Sequence, residues 1–255
     1  MDAVLRIFRG DREAGGFQDY PVPQQEGMVV LDAVHYVQAH LASDLACRWN
    51  CKAGRCGSCS AEVNGKPRLM CMTRMDQFAP GRPITIAPMK AFPVIKDLVT
   101  DVSWNYEVNR RIPPFQPKPP EADGTWRMQQ EDIDRVQEFR KCIECFLCQD
   151  VCHVLRDHGM HEKFIGPRFL IHVAALEMHP LDTENRVDEL RNAYGIGYCN
   201  ITKCCTKVCP ESIQITDNGI IPLKERVVDD FYDPLGWIWR RLKKKTEPRI
   251  ENRES

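Results

Sequence analysis

Eleven of the thirteen cysteines in this 255-residue chain fall into three runs, and their spacing limits what the chain can fold around. Cys142, Cys145, Cys148 and Cys152 form an intact C-x2-C-x2-C-x3-C run. A second copy, Cys199, Cys205 and Cys209-Pro210, has Thr202 where its second cysteine should be. Upstream, Cys51-x4-Cys56-x2-Cys59 is followed by Cys71. In paired runs of the first kind, three cysteines hold a four-iron cluster and the fourth ligates the neighbouring cluster; the other spacing holds a [2Fe–2S] pair. Cys51, Cys56, Cys59 and Cys71 are therefore expected to hold [2Fe–2S]. Cys142, Cys145, Cys148 and Cys209 are expected to share [4Fe–4S], and Cys152, Cys199 and Cys205 the remaining centre. Thr202 leaves that centre one thiolate short, so it is expected as [3Fe–4S].

Other uses of so many cysteines fit less well. The count is odd, the runs are tight, and the opening MDAVLRIFRG has no apolar export core, which together argue against a disulfide framework. A zinc-stabilised interaction module is the competing reading from another class. Zinc ribbons, however, place C-x2-C pairs at two separated knuckles, and here three cysteines fall between positions 51 and 59. Cys47 and Cys204 are left over. Cys47 reads as a small, partly buried filler. Cys204 adjoins Cys205, and adjacent side chains on a helical turn diverge, so it is not expected to stand in for the thiolate that Thr202 lacks.

The net charge of −1 carries no nucleic-acid signature. No stretch reaches the roughly 18 apolar residues of a membrane helix, so attachment to a membrane is expected to come from something else. The stretch Trp237-Ile-Trp239-Arg240-Arg241 with Lys243, Lys244 and Lys245 suits lipid headgroups or a membrane subunit, and equally a solvated tail.

Two halves are visible. Ala3–Arg9 and Phe17–Val22 read as strands, and Val30, Leu31, Val34, Val37 and Leu41 as one face of a helix. Asn64-Gly65 marks a hairpin between Ala61–Val63 and Leu69–Met72, and Ile84–Ala87 closes the set. Two strands, a helix, a cysteine loop and further strands is the order of a β-grasp ferredoxin domain, assigned to residues 1–105. Residues 112–120, IPPFQPKPP, read as a stiff extended connector. Beyond it the periodicity is helical at Ile133, Val136, Phe139 and Ile143, at Phe169, Val173 and Leu176, and at Val187, Leu190 and Tyr194. The fold class is α+β: the β-grasp domain, then an all-α two-cluster ferredoxin domain at 106–255.

This order of a plant-type cysteine group, a proline-rich connector and a two-cluster helical module with a threonine corner resembles the iron–sulfur subunit of succinate dehydrogenases and fumarate reductases. Lys163-Phe-Ile-Gly-Pro167 also looks like a motif of that family. The resemblance implies an electron-transfer subunit of a membrane-bound succinate:quinone oxidoreductase, or of a fumarate reductase running in the other direction. It implies partners: a flavoprotein subunit with covalent FAD, and membrane anchor subunits, to which any haem b would belong. The chain would sit peripherally on the cytoplasmic face of the inner (plasma) membrane, passing electrons from FAD through [2Fe–2S], [4Fe–4S] and [3Fe–4S] to a quinone. The resemblance brings no catalytic residue to this chain. His153 directly follows Cys152 and could relay protons near the quinone. Ubiquinone-reducing members have tryptophan and histidine where this chain has Asp157 and Asn200, so the quinone vicinity is expected to be built differently, as for menaquinone.

Overall fold

The computed structural model describes residues 2–234; the aromatic and basic stretch at 237–249 lies outside the described residues. The first half holds strands β1 (Asp2–Gly10), β2 (Gly15–Pro23), β3 (Ser60–Val63), β4 (Lys66–Leu69) and β5 (Ile84–Ala87), with helix α1 (Val30–His40) between β2 and β3. The sheet order is β2-β1-β5-β3-β4. β1 runs antiparallel to β2, with Leu5 opposite Tyr20, and parallel to β5, with Ile7 opposite Ile86. Leu5, Ile7, Tyr20 and Val22 are buried at alternate positions, as a strand with one covered face requires. Helix α1 lays Val30, Leu31, Val34 and Val37 on that face, and Asp32 reaches back to accept the Val29 N–H at 3.2 Å.

The hairpin at Asn64-Gly65 corrects one expectation. Both residues have positive φ, 48° and 71°, the conformation of a two-residue type I′ turn. Such a turn obliges pairing to resume at once, so Val63 faces Lys66 and the return strand is Lys66–Leu69, not Leu69–Met72. Met70–Met72 instead makes a single 3-10 turn that carries Cys71 inward, where it is buried. A second hairpin, β6 (Val94–Lys96) and β7 (Val99–Thr100), gave no sequence signal. Its turn is held by buried Asp97, which accepts from Gly10 N at 2.9 Å, Ala46 N at 2.8 Å and Arg9 Nε at 3.1 Å.

The second half is helical: α2 (Ser103–Arg111), α3 (Gln130–Gln137), α4 (Leu147–Asp150), α5 (His153–Arg156), α6 (Gly166–Glu177), α7 (Val187–Asn192), α8 (Cys204–Val208) and α9 (Ile221–Phe231). The helix expected to run through Ile143 stops sooner. After α3 a 3-10 turn at Glu138–Lys141 leads into extended backbone at Cys142, where the cysteine loop opens. Tyr194 likewise falls beyond the end of α7. Residues 215–220 form a π-helical turn that runs directly into α9.

The proline-rich segment runs extended and is pinned. Pro117 bridges Asp182 in antiparallel fashion. Arg186, with 0% exposure, donates from Nε to the Pro113 carbonyl at 3.0 Å and from Nη2 to the Pro114 carbonyl at 2.8 Å, and lies 3.0 Å from the Asp182 carboxylate. The two hydrophobic cores interlock. Met89, Ala91 and Phe92 pack with the helical core, while Cys145 and Leu147 pack with the sheet core.

Candidate metal centres

Loops that wrap an inorganic cluster need backbone turns which ordinary residues resist, and all three cysteine runs have them. In the first, Lys52, Gly54 and Gly57 have positive φ of 53°, 68° and 68°. The turn points N–H groups back at sulfur: Ala53 N and Arg55 N approach Cys51 Sγ at 3.4 and 3.3 Å, and Cys71 N approaches Cys59 Sγ at 3.5 Å. The other two runs repeat one geometry. Glu144 and Phe146, two and four residues past Cys142, have φ of 55° and 59°. Ile201 and Lys203, at the same offsets from Cys199, have φ of 61° and 60°. A short helix then begins in each, α4 and α8, placing Cys148 and Cys205 as its second residue.

The runs come together in sequence order. A Cβ added at Gly57 would stand 2.6 Å from Cys145 Cα, so only glycine allows the first loop to lie against the second. Ser60 Oγ sits 2.8 Å from both the Gly57 and the Cys145 carbonyl oxygens, joining the two loops through one hydroxyl. Arg55 pairs with Glu211 at 3.9 Å, beside Cys209-Pro210. Cys148 lies within electrostatic reach of Cys142, Cys145 and Cys209. Cys152 leaves that group and lies near Cys199 and Cys204 instead. A small cavity is walled by Cys152, Cys199, Cys204 and Cys205, with His153, Asn200, Thr202 and Thr216. Asp157 stands apart on an outer groove and pairs with Lys90 at 3.3 Å.

The chemistry of the donors fits iron–sulfur groups. All thirteen cysteines are free thiols. Burial holds the Cys59 and Cys145 thiols up at about 12 and Cys152 at about 11, and pushes Cys148 and Cys209 up as well. Thiols this reluctant to ionise become ligands when a metal cation displaces the proton. At Cys56, burial is outweighed by hydrogen bonds from Ser58 and the backbone, and the thiol falls to about 6. Near Cys148, the buried Nε of Arg168 has no partner, while its Nη2 donates to Glu144 at 2.5 Å. A cluster sulfide there would satisfy that donor.

Several supporting residues had no sequence signal. Gln149, fully buried, donates to the Ile165 carbonyl at 3.0 Å and accepts from Arg168 N at 3.3 Å, tying α4 to the start of α6. A Cβ at Gly166 would collide with that amide at 2.0 Å, which gives Lys163–Pro167 a packing reason. Thr216 Oγ1, on the π turn, lies 3.5 Å from Cys205 Sγ. Cys204 lies on the same cavity wall as Thr202, whose hydroxyl donates to its sulfur at 3.3 Å.

Residues 4–107 match the family model for the 2Fe-2S iron-sulfur cluster binding domain, and residues 138–213 that for the 4Fe-4S dicluster domain. Over 208 residues the chain is 34% identical to the fumarate reductase iron-sulfur subunit of Mycobacterium tuberculosis, covering 77% of this chain and 80% of that one. This chain is an iron–sulfur subunit of the succinate dehydrogenase and fumarate reductase family. It is also 28% identical over 232 residues to the succinate dehydrogenase iron-sulfur subunit of Paracoccus denitrificans, covering 88% of each. A chain in the solved Mycobacterium smegmatis Sdh1 complex in the apo form is 60% identical, with a TM-score of 0.89 over 92% of this chain and 98% of that one. The β-grasp and helical ferredoxin architecture is thus that of the family. The chain's work is electron transfer within a multi-subunit oxidoreductase. Among the described residues, no helix is long and apolar enough to cross a membrane.

Proposed function

We propose that this subunit conducts electrons between a flavoprotein subunit and a quinone through three sites in line, as part of a succinate:quinone oxidoreductase. Cys51, Cys56, Cys59 and Cys71 hold [2Fe–2S]; Cys142, Cys145, Cys148 and Cys209 hold [4Fe–4S]; Cys152, Cys199 and Cys205 hold [3Fe–4S]. The observation that carries this reading is the chain of contacts between loops: Gly57 and Ser60 against Cys145, then α4 against α8. The clusters, when bound, supply one-electron steps. The chain's own residues keep the sites close, dry and hydrogen-bonded, with Ala53 and Arg55 N–H at the first, Arg168 at the second and Thr216 at the third.

The division into residues 1–105 and 106–255 follows these roles, with the first part facing the flavoprotein and its FAD. His153 and Asn200 on the third site's wall, and Asp157 on the adjoining groove, mark the side that faces quinone and the membrane anchor subunits, where haem b would lie. Menaquinone suits the polar Asp157 and Asn200. On this reading the subunit sits peripherally on the cytoplasmic face of the membrane. The fumarate reductase direction is the second reading, favoured by the name of the Mycobacterium tuberculosis relative.

The test is metal and sulfide analysis of the anaerobically purified complex with a redox titration by electron paramagnetic resonance. About nine irons per chain and three separate signals are expected. Zinc at any group would sink the assignment of that group. Whether the potentials descend toward succinate or toward quinone decides the direction.

A further inference from the structure

The second cysteine run lacks a thiol where the first has Cys145, yet carries an extra one two residues later. Because the two runs share the same pattern of left-handed residues, they can be matched position by position. Cys145 corresponds to Thr202 and Cys148 to Cys205. Cys204 corresponds to Leu147, which is 1% exposed and packs in the sheet core. An apolar core position has thus become a thiol in the run that is one thiol short.

The geometry is consistent with compensation. Four cysteines, Cys152, Cys199, Cys204 and Cys205, border the third site's cavity, and Thr202 borders it with them. The Thr202 hydroxyl touches Cys204 Sγ at 3.3 Å, so the corner without a thiolate and the spare thiol are already neighbours. Cys204 is half-buried and also borders the outer groove of Leu147, Arg156, Lys207 and Val208. Cys204 thus borders both the cavity and the groove outside it. The other spare thiol offers no such arrangement: Cys47 packs against the sheet core, with its Sγ 3.6 Å from the Arg48 carbonyl.

We infer that Cys204 is a reserve ligand, able to hold a fourth, ferrous iron at the Thr202 corner and so convert the third centre reversibly between three-iron and four-iron forms. The inference rests on the ligand assignment proposed above. In the capture step the Cys204 thiol releases its proton to solvent and forms an S–Fe bond. The reduced, neutral three-iron core and one ferrous ion become a 2+ four-iron core, and no electron is transferred. If the core starts oxidised, the chain's own electron-transfer activity first supplies one electron. In the reverse step a one-electron oxidant takes that electron, ferrous ion leaves, and Cys204 regains a proton.

The experiment uses the purified complex, reduced anaerobically with dithionite, given isotopically labelled ferrous ion and desalted. Wild type should bind the label, show it in a four-iron Mössbauer spectrum, and lose the three-iron resonance on reoxidation only until ferricyanide releases the label. Cys204→Ala and Cys204→Ser should recover the full three-iron resonance on reoxidation and retain the label at least about 10-fold more weakly. The [4Fe–4S] signal serves as the folding control in both variants. If either variant captures iron as wild type does, or if wild type captures none, the inference is overturned. A Cys204→Ala complex that lacks the three-iron centre from the start also overturns it, since Cys204 would then be a standing ligand. Failure of the underlying assignment looks different: Cys199→Ser would leave the three-iron resonance intact.

Discussion

The two halves of this chain use cysteine in different ways. In the sheet half, the ladder from β2 to β4 and the helix α1 bury Leu5, Ile7, Val34 and Ile86; Cys59 and Cys71 join that core at its rim, and Cys51 and Cys56 are only partly buried. In the helical half, Cys148, Cys152 and Cys205 are members of the core itself, and Cys142, Cys199 and Cys209 pack against it. The helices that carry or precede these thiols are short: α4 and α5 have four residues each, α8 five. Helices of that length have no stability of their own in water. The first site's thiols flank a ladder of paired strands, whereas those of the other two sit beside helices too short to stand alone.

Removing iron should separate the halves most sharply. Anaerobic chelation is expected to open α4, α5 and α8 while β1, β2 and β5 stay protected. Hydrogen exchange should then differ between the halves by about 1000-fold, equivalent to about 4 kcal/mol of local stability. Equal protection in both halves of the iron-free chain would break the comparison.

Next in size is Arg186→Met, which leaves the Asp182 carboxylate buried without its cation and Glu177 with Arg226 alone. A loss of about 3–5 kcal/mol is expected in urea unfolding. The contrasting change in the sheet half is Arg6→Met, whose partner Asp19 is as exposed as Arg6 itself. It should leave the midpoint unmoved. If the two variants unfold alike, buried charge is not what holds the helical half.

Gly57→Ala acts where the halves meet. The new methyl would press on Cys145 and the residue would sit at φ of 68°, costing about 1–3 kcal/mol. Stopped-flow reduction should show electrons delayed between the first and second clusters, with the [2Fe–2S] spectrum itself preserved. Unchanged transfer would mean that this contact does not set the spacing.

The smallest effect on folding and a specific one on function is expected from Thr202→Cys. A permanent thiolate there should favour a four-iron centre of lower potential and slow quinone reduction, while the melting temperature hardly moves. An unaltered oxidised three-iron resonance would show that Thr202 is not the open corner.

How much of this was legible follows from range. The strands Ala3–Arg9, Phe17–Val22 and Ile84–Ala87 and the α1 face as far as Val37 announce themselves because alternation and helical periodicity are local; Leu41, expected on that face, caps the helix and is exposed. The three cysteine runs are legible for the same reason. The β6–β7 hairpin was not, because Asp97 holds it through partners as distant in sequence as Gly10. Gln149, Arg168 and Thr216 were silent too, since each matters through what tertiary packing sets beside it. The closeness of Cys204 to Thr202 was silent as well, because left-handed Lys203 turns the chain between them just before α8 begins at Cys204.

Arg186 has a consequence for how the halves share mechanical load. A proline-rich segment between two modules is ordinarily a leash, free to swing at its ends. Here the carbonyls of Pro113 and Pro114 are both taken by one guanidinium that the Asp182 carboxylate holds in place, so a pull on the connector passes sideways into the start of α7. The segment behaves as a bracket. The path of the connector over the helical half is thereby held by a residue that touches none of the cysteines.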